Sequence, residues 1–304
     1  MPNELLLRVV LHAGIVPGAV SLIVLGALWW RHARRAEAAA DVAEPRAPLW
    51  AAPLLITLGV LAGIWVVEQS FELWPASNTR RLYHAAALVG LVATLEGVRR
   101  WPLVAPVIAR AAAFAGVTWM LTEGYVPGVL SQSQLWLLVG ACAAAGAALA
   151  SLGDAGLARS RGLTGVLAAL ILAAGVQPFL HFAGFSTGSL ALVGAVAVLT
   201  SAAIVAAVFK RVVLGGGTAT VLVGLILIGL LGAGVQSEPK SVPALLLVAA
   251  SPIALALRLR GPIPTLALRA GVVGLLVGGA MGLLTASGSD APAEDDPYAD
   301  YYAE

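Results

Sequence analysis

Apolar residues in this chain run in long unbroken stretches and do not alternate with polar ones. Cutting the text at charged positions and Pro/Gly-rich breaks leaves ten stretches: 6–30, 49–67, 82–98, 103–122, 134–152, 163–182, 189–209, 218–235, 242–257 and 266–286. A helix of about 20 apolar residues crosses the hydrocarbon core of a bilayer, so each stretch predicts a membrane-spanning helix. The ninth is the shortest. A transmembrane β-barrel would need shorter segments of alternating polarity, which the text lacks. The expected fold is all-α: a polytopic transmembrane helix bundle of about ten spans over residues 1–286, followed by an acidic, disordered tail at 287–304.

Composition supports the same picture. Of 304 residues, 60% are hydrophobic and 11% charged, and mean hydropathy is +0.92. Soluble domains carry roughly a quarter charged residues, so a soluble globular chain and a disordered one are both excluded. The few charges are placed unevenly. The odd-numbered loops hold Arg31, Arg34, Arg35 and Arg46, then Arg99 and Arg100, Arg159 and Arg161, Lys210 and Arg211, and Arg258 and Arg260. The even-numbered loops hold only Arg80, Arg81 and Lys240. The positive-inside rule therefore predicts both termini outside, in what reads as a bacterial inner (plasma) membrane. The first apolar run is too long for a cleaved signal peptide and is followed, not preceded, by its basic cluster.

The tail has six acidic residues, no basic ones, and Tyr298, Tyr301 and Tyr302. It is expected to be a solvated segment, with docking of a protein partner as the alternative. The sole cysteine, Cys142, lies in the fifth span and excludes an intramolecular disulfide. The basic residues are spread over short loops that already serve topology, so no nucleic-acid partner is expected.

Ionisable groups within the spans are the candidates for chemistry, because lipid makes them costly. His12, His84 and His181 fall at a similar outer depth on three helices, a candidate cofactor-binding cluster, although no spacing such as His-x3-His supports a metal and amphipathic side chains favour that zone anyway. Glu68, Glu123 and Gln177 lie nearby as candidate substrate or relay groups. At the inner side, spans three and four are joined by the tight turn Arg99-Arg100-Trp101-Pro102 and must be antiparallel neighbours. Glu96 sits about one turn from that loop and Arg110 about two, so a buried ion pair that fixes packing is expected. Arg269 has no evident acidic partner and is expected to snorkel to the headgroups. No cofactor is predicted, and any metal is left unknown.

Small residues are expected to set helix contacts. The segment 140–146 (GACAAAG) and the GxxxG at Gly274 and Gly278 offer small-xxx-small faces, read first as intramolecular packing and second as a surface for protein partners. Gly215-Gly216-Gly217 lacks the Lys-Ser/Thr of a phosphate loop and reads as a flexible turn. Pro17, Pro106, Pro178, Pro252 and Pro264 lie in or beside spans and permit kinks. Spans eight to ten echo spans two to four, with Arg269 matching Arg110, as parallel repeats would; membrane grammar alone produces such echoes. No catalytic Ser/His/Asp set, His-Glu-x-x-His or paired carboxylate is present. The favoured expectation is a non-catalytic membrane subunit or scaffold of a larger assembly. A small-solute permease is the alternative, weakened by a nearly bare midplane, and a membrane enzyme using the outer histidines ranks third.

Overall fold

A computed structural model describes residues 7–38, 47–69, 71–73, 75, 79–99, 101–102, 104–126, 128–160, 162–210, 212–236 and 242–289. Arg46, Arg100, Arg161, Arg211 and Lys240, which enter the charge bias, lie outside these residues, as does the tail from Asp290 onward. No strand occurs among the described residues. They form ten apolar helical segments: α1 (Val9–Ala38), α2 (Ala51–Glu68), α3 (Leu82–Val98), α4 (Val104–Thr122), α5 (Gln132–Ala158), α6 (Leu163–Phe182), α7 (Ser186–Val208), α8 (Thr218–Gln236), α9 (Val242–Ala256) and α10 (Pro262–Ser289). Seven are long and apolar enough to cross a membrane; α3, α8 and α9 are shorter apolar helices. The protein is an all-α membrane helix bundle.

Local sequence explains several boundaries. Ser131 caps α5 in a reciprocal capping box with Gln134, which satisfies two otherwise orphaned donors. α9 turns from α-helical to 3-10 geometry at Ser251, where Pro252 removes a backbone donor. The first seven residues of α1, Val9–Ile15, are wound as a π-helix. α5 runs six residues past the predicted end of its apolar stretch, because Gly153 and Gly156 seat their bare backbones against Ala219 and Leu255. That extension brings Asp154 into the helix.

α8 is the axis of the bundle. It packs against α2, α3, α4, α5, α6, α7 and α9, and every described position from Thr218 to Ala233 is buried except half-buried Leu227. A helix apolar all round belongs in such a position. α1 and α10 are peripheral and expose most of their apolar surface. Close helix approach occurs chiefly between α2 and α7, where Gly59 and Gly63 meet the backbone at Gly194 and Ala191. The predicted small-residue faces behave otherwise. Gly146 packs on Phe114, but Gly140, Gly274 and Gly278 have open space where a Cβ would stand, so the GxxxG of α10 is not an intramolecular contact.

The five connections α1–α2, α3–α4, α5–α6, α7–α8 and α9–α10 share one end. Gly97 lies against Trp50 and Gly216, Gly215 against Ala158, Gly162 against Lys210, and Gly156 against Leu255 and Ala256. Arg31, Arg34 and Arg35 in the last turns of α1, with Arg99, Arg159, Lys210, Arg258 and Arg260 in the connections, lie at this end, which we call the basic end.

Candidate functional site

The site follows from the burial of α8. The first backbone N–H groups of any helix lack intrahelical acceptors, and those of α8 are enclosed by neighbouring helices and so are cut off from water. The chain enters α8 through Gly216 and Gly217 with φ of +56° and +101°, a left-handed conformation that only glycine adopts freely. A Cβ on Gly217 would collide with the Ala93 carbonyl of α3. The three glycines are therefore a fixed, packed entry, not the flexible turn expected from sequence. Their geometry aims amide donors at Asp154: Gly217 N–H donates to Oδ2 at 3.1 Å and Ala219 N–H to Oδ1 at 2.9 Å. The glycine turn does hold an anion, as such turns often do; the anion is a side chain of the protein itself.

A carboxylate this deep requires a counter-charge, and Arg110 of α4 supplies it. Its Nη2 stands 2.6 Å from Asp154 Oδ2 and 2.7 Å from Glu96 Oε2, its Nε donates to Glu96 Oε1 at 2.9 Å, and its Nη1 donates to Ser151 Oγ at 2.8 Å. Thr220 Oγ1 donates to Glu96 Oε2 at 3.1 Å and lies 3.4 Å from Asp154 Oδ2. The structure thus brings Glu96 and Arg110 together, and adds Asp154, Ser151 and Thr220. The network joins α3, α4, α5 and α8 about one to two turns inside the basic end, taking 1.5 Å per residue. Its two carboxylates face one guanidinium, and the partial positive charge of the α8 N-terminus offsets the surplus.

Arg269 of α10 stands beside this network and departs from expectation. It does not snorkel: it is 1% exposed. Its Nε donates to the Leu257 carbonyl at 2.9 Å and its Nη2 to the Gly156 carbonyl at 3.4 Å. These carbonyls close α9 and the last turn of α5, and a cation suits such helix C-termini. The position is too well sealed by α5 and α9 for the side chain to reach headgroups.

The outer histidine candidates sit on three separate helices. His12 and His181 are exposed on α1 and α6, while His84 on α3 stacks on Phe71 with ring centroids 5.7 Å apart. No group of three His, Cys, Asp or Glu residues able to hold a metal occurs among the described residues. Glu68 is half-buried at the end of α2, and Gln177 is half-buried on α6. Glu123 accepts from Arg81 Nη1 at 2.6 Å. Arg81, counted as a loop residue in the sequence, is buried and also donates to the carbonyls of Pro75 and Met120.

Asp154 was missed in the sequence because its neighbours Gly153 and Gly156 break the apolar run. One signal was available: it is the only acidic residue between Glu123 and Glu238. Ser151 and Thr220 carry no sequence signal of their own.

The fold and this buried network define the class, an all-α membrane protein with a charged cluster at its basic end. No family model, curated protein or solved structure matches the chain.

Proposed function

We propose that this chain is a non-catalytic membrane subunit or scaffold of a larger assembly, crossing a bacterial inner membrane ten times with both termini outside. The observation that carries the proposal is the closure of the charged network. All four oxygens of Glu96 and Asp154 accept hydrogen bonds from protein donors, and all three nitrogens of the Arg110 guanidinium donate to protein acceptors. Groups that bind a coupling ion or perform chemistry need a coordination position open to a ligand. Two cavities within the apolar core, one beside Val60 and Ile64 and one beside Leu25 and Trp29, measure about 20 and about 10 Å³, space for about one water each. The outward faces supply the scaffold's contacts. On α10, Gly271, Gly274, Gly278 and Gly282 stand one turn apart with nothing beside them.

The ten-span, N-out/C-out arrangement is supported by the gathering of five basic connections at one end. The carrier reading draws on one feature, the break in α9 at Ser251 and Pro252, since discontinuous helices line carrier sites. Purification in mild detergent, with native mass measurement and a visible spectrum, separates the two. The scaffold reading expects a colourless complex in which other membrane proteins stand in fixed stoichiometry to this chain. A lone monomer that moves solute when reconstituted in liposomes overturns it.

A further inference from the structure

A cavity of about 200 Å³ opens at the basic end, between the ends of α5 and α9 and the starts of α6 and α10. Arg159, Ser160, Thr164, Arg258, Leu259 and Thr265 line it. Arg159 and Arg258 are exposed, and neither has a carboxylate partner among the described residues. Behind them lies Arg269, bonded to the carbonyls of Gly156 and Leu257. Those two residues sit three positions before Arg159 and one before Arg258. Arg269 is fully buried, and its Nη1 finds no hydrogen-bond partner among the described residues. Two exposed guanidinium groups therefore border one small space, and no carboxylate among the described residues pairs with either of them. The only nearby acidic side chain on α5, Asp154, is turned away and fully engaged with Arg110 and α8.

We infer that this cavity binds the phosphate group of an anionic phospholipid. Two arginines at its mouth suit a phosphate, which guanidinium groups bind with paired, charge-assisted hydrogen bonds. Thr164 stands in the first turn of α6, where unpaired backbone donors and the helix dipole favour an anion. The Thr164 hydroxyl makes no hydrogen bond among the described residues. The surroundings distinguish a lipid from a free ion. Leu259 lines the cavity, and Leu163 and Ile263, at the starts of α6 and α10, are 39% and 79% exposed. An acyl chain would cover these side chains, and a solvated phosphate would not. Basic pockets between helices at one face of a membrane recognise headgroups in this way. The inference rests on the chain being a membrane protein and is independent of the scaffold reading.

The test uses the full chain in detergent, titrated with short-chain phosphatidylglycerol, short-chain phosphatidylcholine and inorganic phosphate. Binding is read by native mass spectrometry and by thermal stabilisation. Phosphatidylglycerol is expected to bind and to raise Tm, with phosphatidylcholine and phosphate much weaker. Arg159→Gln with Arg258→Gln is expected to weaken phosphatidylglycerol about thirtyfold, the equivalent of about 1 kcal/mol for each basic residue removed. Both side chains are exposed, so the lipid-free Tm should hold, which separates lost binding from misfolding. Arg34→Gln with Arg99→Gln removes the same charge from the same end but away from the cavity, and should leave affinity within about twofold. Equal binding of both lipids overturns the inference, as does equal loss in the two double variants. Phosphate saturating the site at or below the lipid concentration assigns it to a free ion and overturns the lipid.

Discussion

Replacing Arg110 by Met removes the guanidinium while keeping an unbranched side chain of similar reach, and it tests whether the charged network holds the bundle together. The change deletes two bonds to Glu96, one to Asp154 and one to Ser151. It leaves two carboxylates in a space that one cation had neutralised. Breaking a buried pair by removing one member costs about 3–5 kcal/mol, mainly because the remaining charge is unbalanced. For a chain of this size the cost corresponds to a fall in Tm on the order of 10 °C. Thermal unfolding of the detergent-purified protein, followed by fluorescence and by the soluble fraction, measures it. The combination with Glu96→Gln is the decisive arm. With Glu96 neutral, the one remaining carboxylate, Asp154, still accepts from Gly217 and Ala219, so the double variant should recover about half of the loss. Asp154→Asn should rescue less, because the amide presents a second donor to the α8 N–H groups. Arg110→Lys keeps the charge without the planar fork and should fall between wild type and Met. If Glu96→Gln and Arg110→Met add to within about 0.5 kcal/mol, the two side chains do not interact and the reasoning fails.

Other consequences are as direct. Gly217→Ala places a Cβ at φ +101° against the Ala93 carbonyl and should cost more than about 1–3 kcal/mol, whereas Gly274→Ala, with nothing beside it, should leave the monomer's Tm unchanged; equal effects would refute the packed entry to α8. Arg269→Met should destabilise by about 1–3 kcal/mol through the abandoned carbonyls of Gly156 and Leu257, with Lys partly restoring Tm, and an unchanged Tm would show that the two bonds carry no weight. In a Cys142→Ala background, a cysteine replacing Lys210 should react with an impermeant thiol reagent only after cells are opened, and one replacing Leu73 should react in intact cells; the reverse pattern would invert the proposed orientation. Backbone amides of Gly217 and Ala219 should exchange hydrogen as slowly as those at the middle of α8, and fast exchange there would show that the Asp154 cap opens.

Helix placement was legible in the sequence because lipid imposes a length and a composition on each helix, and both are written in the text. The ten apolar stretches each fall on one of the ten helices. Glu96 and Arg110 could be paired on paper because a short turn forces α3 and α4 to be neighbours, and helical rise then sets their depths. Asp154 could not be reached this way. Its partners lie 44 residues before it and 63 to 66 after it, and only the packing of α5 on α8 brings them together. The fate of Arg269 was hidden for the same reason, since the carbonyls it binds belong to α5 and to the end of α9. Gly215-Gly216-Gly217 shows the limit from the other side. Composition alone reports that the backbone is free to take unusual angles; the burial of α8 decides that it takes one set and keeps it.

The distribution of ion pairs also bears on motion. α3 and α4 are tied at the basic end by Glu96 and Arg110 and at the opposite end by Arg81 and Glu123. A hairpin pinned at both ends cannot slide along its own interface without breaking a buried charge contact. Asp154 and Arg110 extend the basic-end tie to α5 and α8, and Arg269 couples α5 to α9 and α10 through two carbonyls. Alternating access needs one group of helices to rock against another across a loosely held interface. Here six of the ten helices, α3, α4, α5, α8, α9 and α10, are linked through α5 by charged side chains within about two turns of one end. Rocking any of them against another would place an unpaired guanidinium or carboxylate in an apolar setting, at several kcal/mol for each. Such linkage favours a body that keeps its shape, and under the proposed scaffold role it leaves α1 and the open face of α10 as the surfaces available to partners.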